Sequence, residues 1–341
     1  MTLTMLAAAA ALQTSAKLVA FEPNLSFPPA GQEAVLSYSN INPGVVFDEV
    51  IPSWNVENGE NASLKIEIRA SGTKWYTLAV WSLDHERSPR VSVKDQKDEL
   101  GRVLTDTMRF TPAVSSVDVR ATLSSLGEGP VPRLKLLTLS FSDGQLSPSG
   151  SERSSAWGKM IEVPQRAQGN YENGGVLCSP TCVSMLLWHY SNVLAKPELN
   201  QDVPEVQKRV WDSVYDGAGN WPFNAAYAGS FKGLRSYIAR LGSIGDAEKW
   251  IDAGYPLICS APLDLLRGKE RDGNSGHLVV LVGFTNDGDP VFNDPAKKDE
   301  VRRVYKRADF DRAWSTSRRT VYVVLPEGAK PPSGSSGLWI E

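Results

Sequence analysis

The sequence predicts two domains of different class, an all-β sandwich over residues 21–146 followed by an α+β domain over residues 159–328. Three observations carry this prediction. Apolar and polar residues alternate through much of the first half. Helical spacings of apolar residues replace that alternation in the second half. Between them lies a stretch rich in Ser, with Pro148 and Gly150, which reads as a linker over 147–158. A length of 341 residues accommodates about two domains.

Residues 1–20 are set apart. The run 5–12 is apolar and mostly Ala, and Thr14, Ser15 and Ala16 offer small residues for cleavage. This pattern suggests an export segment and a secreted or periplasmic protein. The run is short and no Lys or Arg precedes it, so a cytoplasmic location stays open.

In the sandwich, Leu64, Ile66 and Ile68 share one face of a strand, with Lys65, Glu67 and Arg69 on the other. Residues 75–81 form a strand that is apolar on both faces. Val117, Val119, Ala121 and Leu123 repeat the period of two, as do Leu134, Leu136 and Thr138. Short strands separated by turn residues are the mark of a sandwich. Trp54, Trp75 and Trp81 are expected to fill its core. Exposed, they would instead let this domain take a glycan or cell-wall polymer as partner. His85 lies in a polar, solvated turn.

The second half opens with helical periods: Val183, Leu186, Leu187, Tyr190 and Leu194, then Val206, Val210 and Val214, then Phe231, Leu234, Ile238 and Leu241. Strands follow over 256–260, 277–283, 290–293 and 320–325, which gives an α+β domain. Residues 220–224 are read as bordering a cleft. The tail, 329–341, is rich in Pro, Ser and Gly and is expected to be flexible.

With 41% hydrophobic and 22% charged residues the composition is that of an ordinary globular protein. A net charge of -3 and no long basic run argue against a nucleic-acid partner. No apolar run reaches the roughly eighteen residues that indicate a membrane span. The three cysteines are too few for a disulfide scaffold.

Of these thiols, Cys178 has the setting that favours a thiolate. Pro180 suits the first position of a helix and Ser179 its N-cap, which leaves Cys178 at the helix mouth, where exposed N–H groups stabilise an anion. Cys182 falls on the buried stripe of that helix, and Cys259 on an apolar strand. A bridge between those two stays open. A thiolate nucleophile needs a base, and the base needs an orienting group. His189 lies on the same helix, about 16 Å along its axis from Cys178, too far to serve. His85 belongs to the other domain. His277 remains, at the opening of the apolar run 278–282. If the strands on either side of the turn 286–289 pair, Asp294 returns near His277, with Asn293 as a rival for the same role.

Val163 and Pro164 followed by Gln168, then Cys178-Ser179-Pro180-Thr181, Gly276-His277 and Asn293-Asp294-Pro295 together resemble the papain-like cysteine peptidases of family thirty-nine. The likeness is to the peptidase-like branch without an attached transporter, and it covers roughly residues 160–326. The best-known members cut bacteriocin leader peptides after a double glycine. The resemblance implies a papain-like fold, in which the nucleophile's helix packs on an antiparallel sheet. It also implies Cys178 as nucleophile, His277 as base, Asp294 as orienting acid and Gln168 in the oxyanion hole. Ser179 departs from the glycine common at that position in the family. The expected function is hydrolysis of a peptide or protein substrate through a thioester, with no cofactor. The three histidines are too scattered to suggest a metal site. A transglutaminase-like thiol acyltransferase, or a degenerate peptidase fold acting as a binding module, are the alternatives.

Overall fold

Alternating burial builds the first half of the chain. The computed structural model describes residues 16–127, 129–144, 153–273 and 276–333, and the backbone of 338–339. The strands here are β1 (Ala16–Phe21), β2 (Leu25–Ser26), β3 (Glu33–Ile41), β4 (Phe47–Glu57), β5 (Ala62–Arg69), β6 (Tyr76–Trp81), β7 (Gly101–Leu104), β8 (Thr107–Val114), β9 (Val117–Ser125) and β10 (Arg133–Ser142). One sheet runs β1-β10-β4-β8-β7, with β2 also on β10, and a second runs β3-β9-β5-β6. Leu64, Ile66 and Ile68 stand opposite Leu123, Ala121 and Val119, and all six are buried. Trp54 of β4 meets Trp81 of β6 edge to face at 6.1 Å, so the two sheets share one apolar interior. Both indoles are fully buried and offer no face to a glycan. Trp75, expected in the core, is instead only partly buried and lies between the guanidinium groups of Arg69 and Arg120, at 4.5 and 4.3 Å.

The first sheet begins earlier than residue 21. Strand β1 pairs with β10 along its whole length, and Val19 and Phe21 join the core. The last part of the expected export segment is therefore a core strand. Residues 1–15 and 145–152, the latter including the first part of the expected linker, lie outside the described residues.

The second half contains α1 (Cys178–Val193), α2 (Val203–Val210), α3 (Trp221–Ala228), β11 (Leu234–Arg240), α4 (Ile244–Asp252), β12 (Leu257–Ser260), α5 (Leu263–Leu266), β13 (Leu278–Phe284), β14 (Pro290–Asn293), β15 (Arg302–Val304), α6 (Arg307–Ser315) and β16 (Thr320–Pro326). Its sheet runs β11-β16-β12-β13-β14-β15, antiparallel throughout. In the tail, β17 (Leu338–Trp339) pairs in parallel with β1, so this part of 329–341 is attached rather than free. Residues 334–337 and 340–341 lie outside the described residues.

Two helical expectations fail. Phe231, Leu234, Ile238 and Leu241 do not share a helix, because residues 234–240 form β11. Six of its seven residues are buried, so both faces are covered and period-two alternation is lost. Helix α2 ends at Val210, short of Val214, where Asp212 folds the chain into a turn by accepting from the N–H groups of Val214 and Tyr215.

The two halves share a continuous apolar cluster. Strand β11 is an edge of its own sheet, and the sandwich covers it. Asn55 accepts from the Ser236 N–H at 3.0 Å and donates to the Ser236 carbonyl at 2.6 Å. Ser53 accepts from the Ile238 N–H at 2.9 Å. Gly229 permits this approach, since a Cβ there would fall 2.1 Å from the Asn55 amide. Buried Arg90 donates to the Lys208 and Trp211 carbonyls at the end of α2.

Asp106, between β7 and β8, reaches the start of α3, where it accepts from the Trp221 N–H at 2.9 Å. Burial pushes its pKa up to about 6, against the opposing effect of its hydrogen bonds and of Arg240. A carboxyl raised on folding costs stability where it is ionised in both states, and the cost fades as pH falls toward the unfolded value of about 3.9. Asp106→Asn is therefore expected to stabilise the protein at pH 8, on the order of 2 kcal/mol. The gain should shrink toward pH 4. Melting curves at both pH values check this, and an equal gain at both would reject the titration account.

Candidate active site

Helix α1 starts at Cys178 itself, with Leu177 as N-cap and no side-chain cap. The expected order, Ser179 as cap and Pro180 first in the helix, is thus displaced by two residues. Proline is tolerated at the third position because the first four N–H groups of a helix have no intrahelical acceptor. Released from capping, the Ser179 hydroxyl shares a 2.9 Å hydrogen bond with Tyr322 of β16. Both groups are buried, so Ser179 performs a task that glycine could not. Helix α1 is enclosed on nearly every side, and Cys182 is among its fully buried residues.

Cys178 is the one partly exposed cysteine, and all three are unbridged. Burial alone would raise its pKa. A hydrogen bond and the charge of His277 outweigh burial, with help from the Leu278 and Ser179 N–H groups, and hold the thiol below its ordinary range. Burial pushes the Cys182 and Cys259 thiols well up instead. Cys182 donates to the Leu278 carbonyl at 3.3 Å.

His277 stands just before β13, and Asp294 just after β14. These strands pair antiparallel, which brings the two residues together. His277 Nε2 meets Asp294 Oδ1 at 2.8 Å, leaving Nδ1 for Cys178. Burial works against the imidazolium, yet Asp294 and Cys178 raise its pKa to about 9. Asp294 is fully buried, which opposes its ionisation. Hydrogen bonds and charge from His277, then Tyr305 and the Ala296 N–H, overcome this and keep it below the usual carboxylate range. Asn293 is engaged elsewhere, donating to the Val163 carbonyl at 3.0 Å and accepting from Arg302 at 3.2 Å.

Gln168 sits in the loop before α1. Its N–H donates to the Pro295 carbonyl at 2.9 Å, and its side-chain Nε2 donates to the Gly174 carbonyl at 2.7 Å. Its Oε1 has no hydrogen-bond partner among the described residues. The loop closes tightly, because a Cβ on Gly174 would fall 2.1 Å from the Gln168 carbonyl oxygen. His189 is held elsewhere, near the Glu162 carbonyl at 3.1 Å, and His85 is exposed in the sandwich.

Residues 220–224 form the capped start of α3, with Asn220 accepting from the Phe223 N–H. The loop before them carries Tyr215, half exposed and within electrostatic range of Cys178. Sequence reasoning missed Tyr305 and Tyr322. Neither lies in a recognisable motif, and only strand register brings them to the site.

Residues 32–142 match the family model for the Peptidase C39 N-terminal domain, and residues 160–322 match that of the Peptidase_C39 like family. No curated protein matches. A chain from the solved "Structure of infectious bursal disease virus Gx strain" is similar at 15% identity, over 38% of this chain and 31% of that one. Its TM-score of 0.15 carries no argument.

Proposed function

We propose, from the premise that this chain belongs to the Peptidase_C39 like family, that it hydrolyses peptide bonds with Cys178 as nucleophile on a papain-like fold. The observation that supports this most is the hydrogen-bonded line from Cys178 through His277 to Asp294. A lowered thiol pKa beside a raised imidazole pKa favours a thiolate–imidazolium pair at neutral pH. The thiolate attacks the substrate carbonyl. The resulting oxyanion is held by the Cys178 N–H and by Gln168, whose amide has a second hydrogen beyond the one given to Gly174. The imidazolium protonates the departing amine, and a thioester remains. Neutral His277 then takes a proton from water, which attacks the thioester and releases the acid and the thiolate. Asp294 fixes the ring throughout.

The test is a thiol-directed peptidase probe followed by mapping of the labelled cysteine. Cys178 should carry the label, and Cys178→Ala should abolish both labelling and peptide cleavage. Label on Cys182 would overturn the assignment.

A further inference from the structure

We infer that Tyr305 is a positioning residue that acts on Cys178 through Asp294, an inference that rests on the peptidase reading above. Its hydroxyl donates to Asp294 Oδ2 at 2.6 Å. The other carboxylate oxygen is occupied by His277 at 2.8 Å and by the Ala296 N–H at 2.9 Å. Asp294 is fully buried and Tyr305 nearly so, so water cannot stand in for a missing donor.

Register explains the reach. Strand β15 runs antiparallel to β14, and the Tyr305 N–H donates to the carbonyl of Pro290, at the far end of β14 from Asp294. The ring then leans back along β14 past Phe292, with ring centres 6.0 Å apart, and delivers its hydroxyl to the carboxylate. Phenylalanine would keep that packing and lose only the donor. The Tyr305 hydroxyl also faces Arg303, which pairs with Glu300. Each carboxylate oxygen thus has its own donor, and the plane of Asp294 is set independently of His277. A carboxylate anchored on one side only would be free to rotate away from the imidazole, and the imidazolium that favours the Cys178 thiolate would lose its partner.

The test uses the rate of Cys178 alkylation by iodoacetamide, taken on the acid side of the midpoint of the wild-type pH–rate profile, which needs no knowledge of the substrate. Tyr305→Phe should slow it roughly tenfold, the effect of about one unit in the pKa of the pair, with the melting temperature lowered by a few degrees, as the loss of one buried donor requires. In an Asp294→Ala background, the same substitution should change the rate less than about twofold, because nothing remains for Tyr305 to hold. An unchanged or faster rate in Tyr305→Phe would overturn the inference, as would losses that simply multiply in the double variant. Failure of the peptidase reading is distinct: it would show as wild-type Cys178 no more reactive at pH 6 than a free thiol.

Discussion

His277→Ala is expected to lower peptide hydrolysis by about a thousandfold or more. The loss has two sources. The thiol loses the hydrogen bond and charge that outweigh burial, so its pKa should rise above the wild-type value. The leaving amine also loses its acid. On the proposed mechanism, the reactive pair of the wild type would span the range between the lowered thiol pKa and the imidazole value of about 9, so the rate should fall on the alkaline side near there. Stability follows the same signs. The raised imidazole contributes fully below its unfolded value of about 6.5. That contribution is lost as pH rises through about 9. The lowered Asp294 contributes above an unfolded value of about 3.9 and loses that contribution as pH falls through its folded value. Profiles of kcat/KM against pH for wild type and variant check this. A variant that keeps wild-type rates would sink the proposed role.

Glu49→Ala should destabilise the whole protein by about 3–5 kcal/mol, the usual consequence of stranding a buried charge. Glu49 is 2% exposed and lies in β4 of the sandwich. It pairs with Arg109 of its own sheet, and with Arg240 and Arg318 of the other domain. Arg240, on β11, is 3% exposed, and its Nη1 has no partner among the described residues even with Glu49 present. Without Glu49 the Arg240 charge would stay buried and nearly uncompensated. Because the two domains share an apolar cluster and this ion pair, denaturant should unfold them in one transition. Replacing both Glu49 and Arg240 with leucine should recover much of the loss. Two separate transitions, or a loss below about 1 kcal/mol, would contradict a shared core.

Residue spacing made the sandwich strands legible. In β9, buried Val117, Val119, Ala121 and Leu123 alternate with partly exposed neighbours, so period two survives in the sequence. Strand β11 was not legible, because burial on both faces erased that signal and left gaps that also fit a helix. The start of α1 was misplaced by two residues because proline is tolerated anywhere among the first N–H groups. The texture change near residue 150 marked two domains, but no local pattern announces that Asn55 bonds Ser236, 181 residues away. Cys178, His277, Asp294 and Gln168 were nameable as candidates from their order and motifs, and the structure brings the first three together. Tyr305 was not, since its relation to Asp294 depends on the hairpin register between β14 and β15.

The covered edge of β11 bears on synthesis. An uncovered strand edge offers unpaired N–H and C=O groups to any other extended chain. The chain leaves the ribosome from its N-terminus, and domains generally fold in that order. Ser53 and Asn55 therefore emerge and can settle into β4 well before Ser236 and Ile238 appear. The guard is thus made before the edge that needs guarding, so a sandwich that folds as it emerges would be at hand to cover a nascent β11.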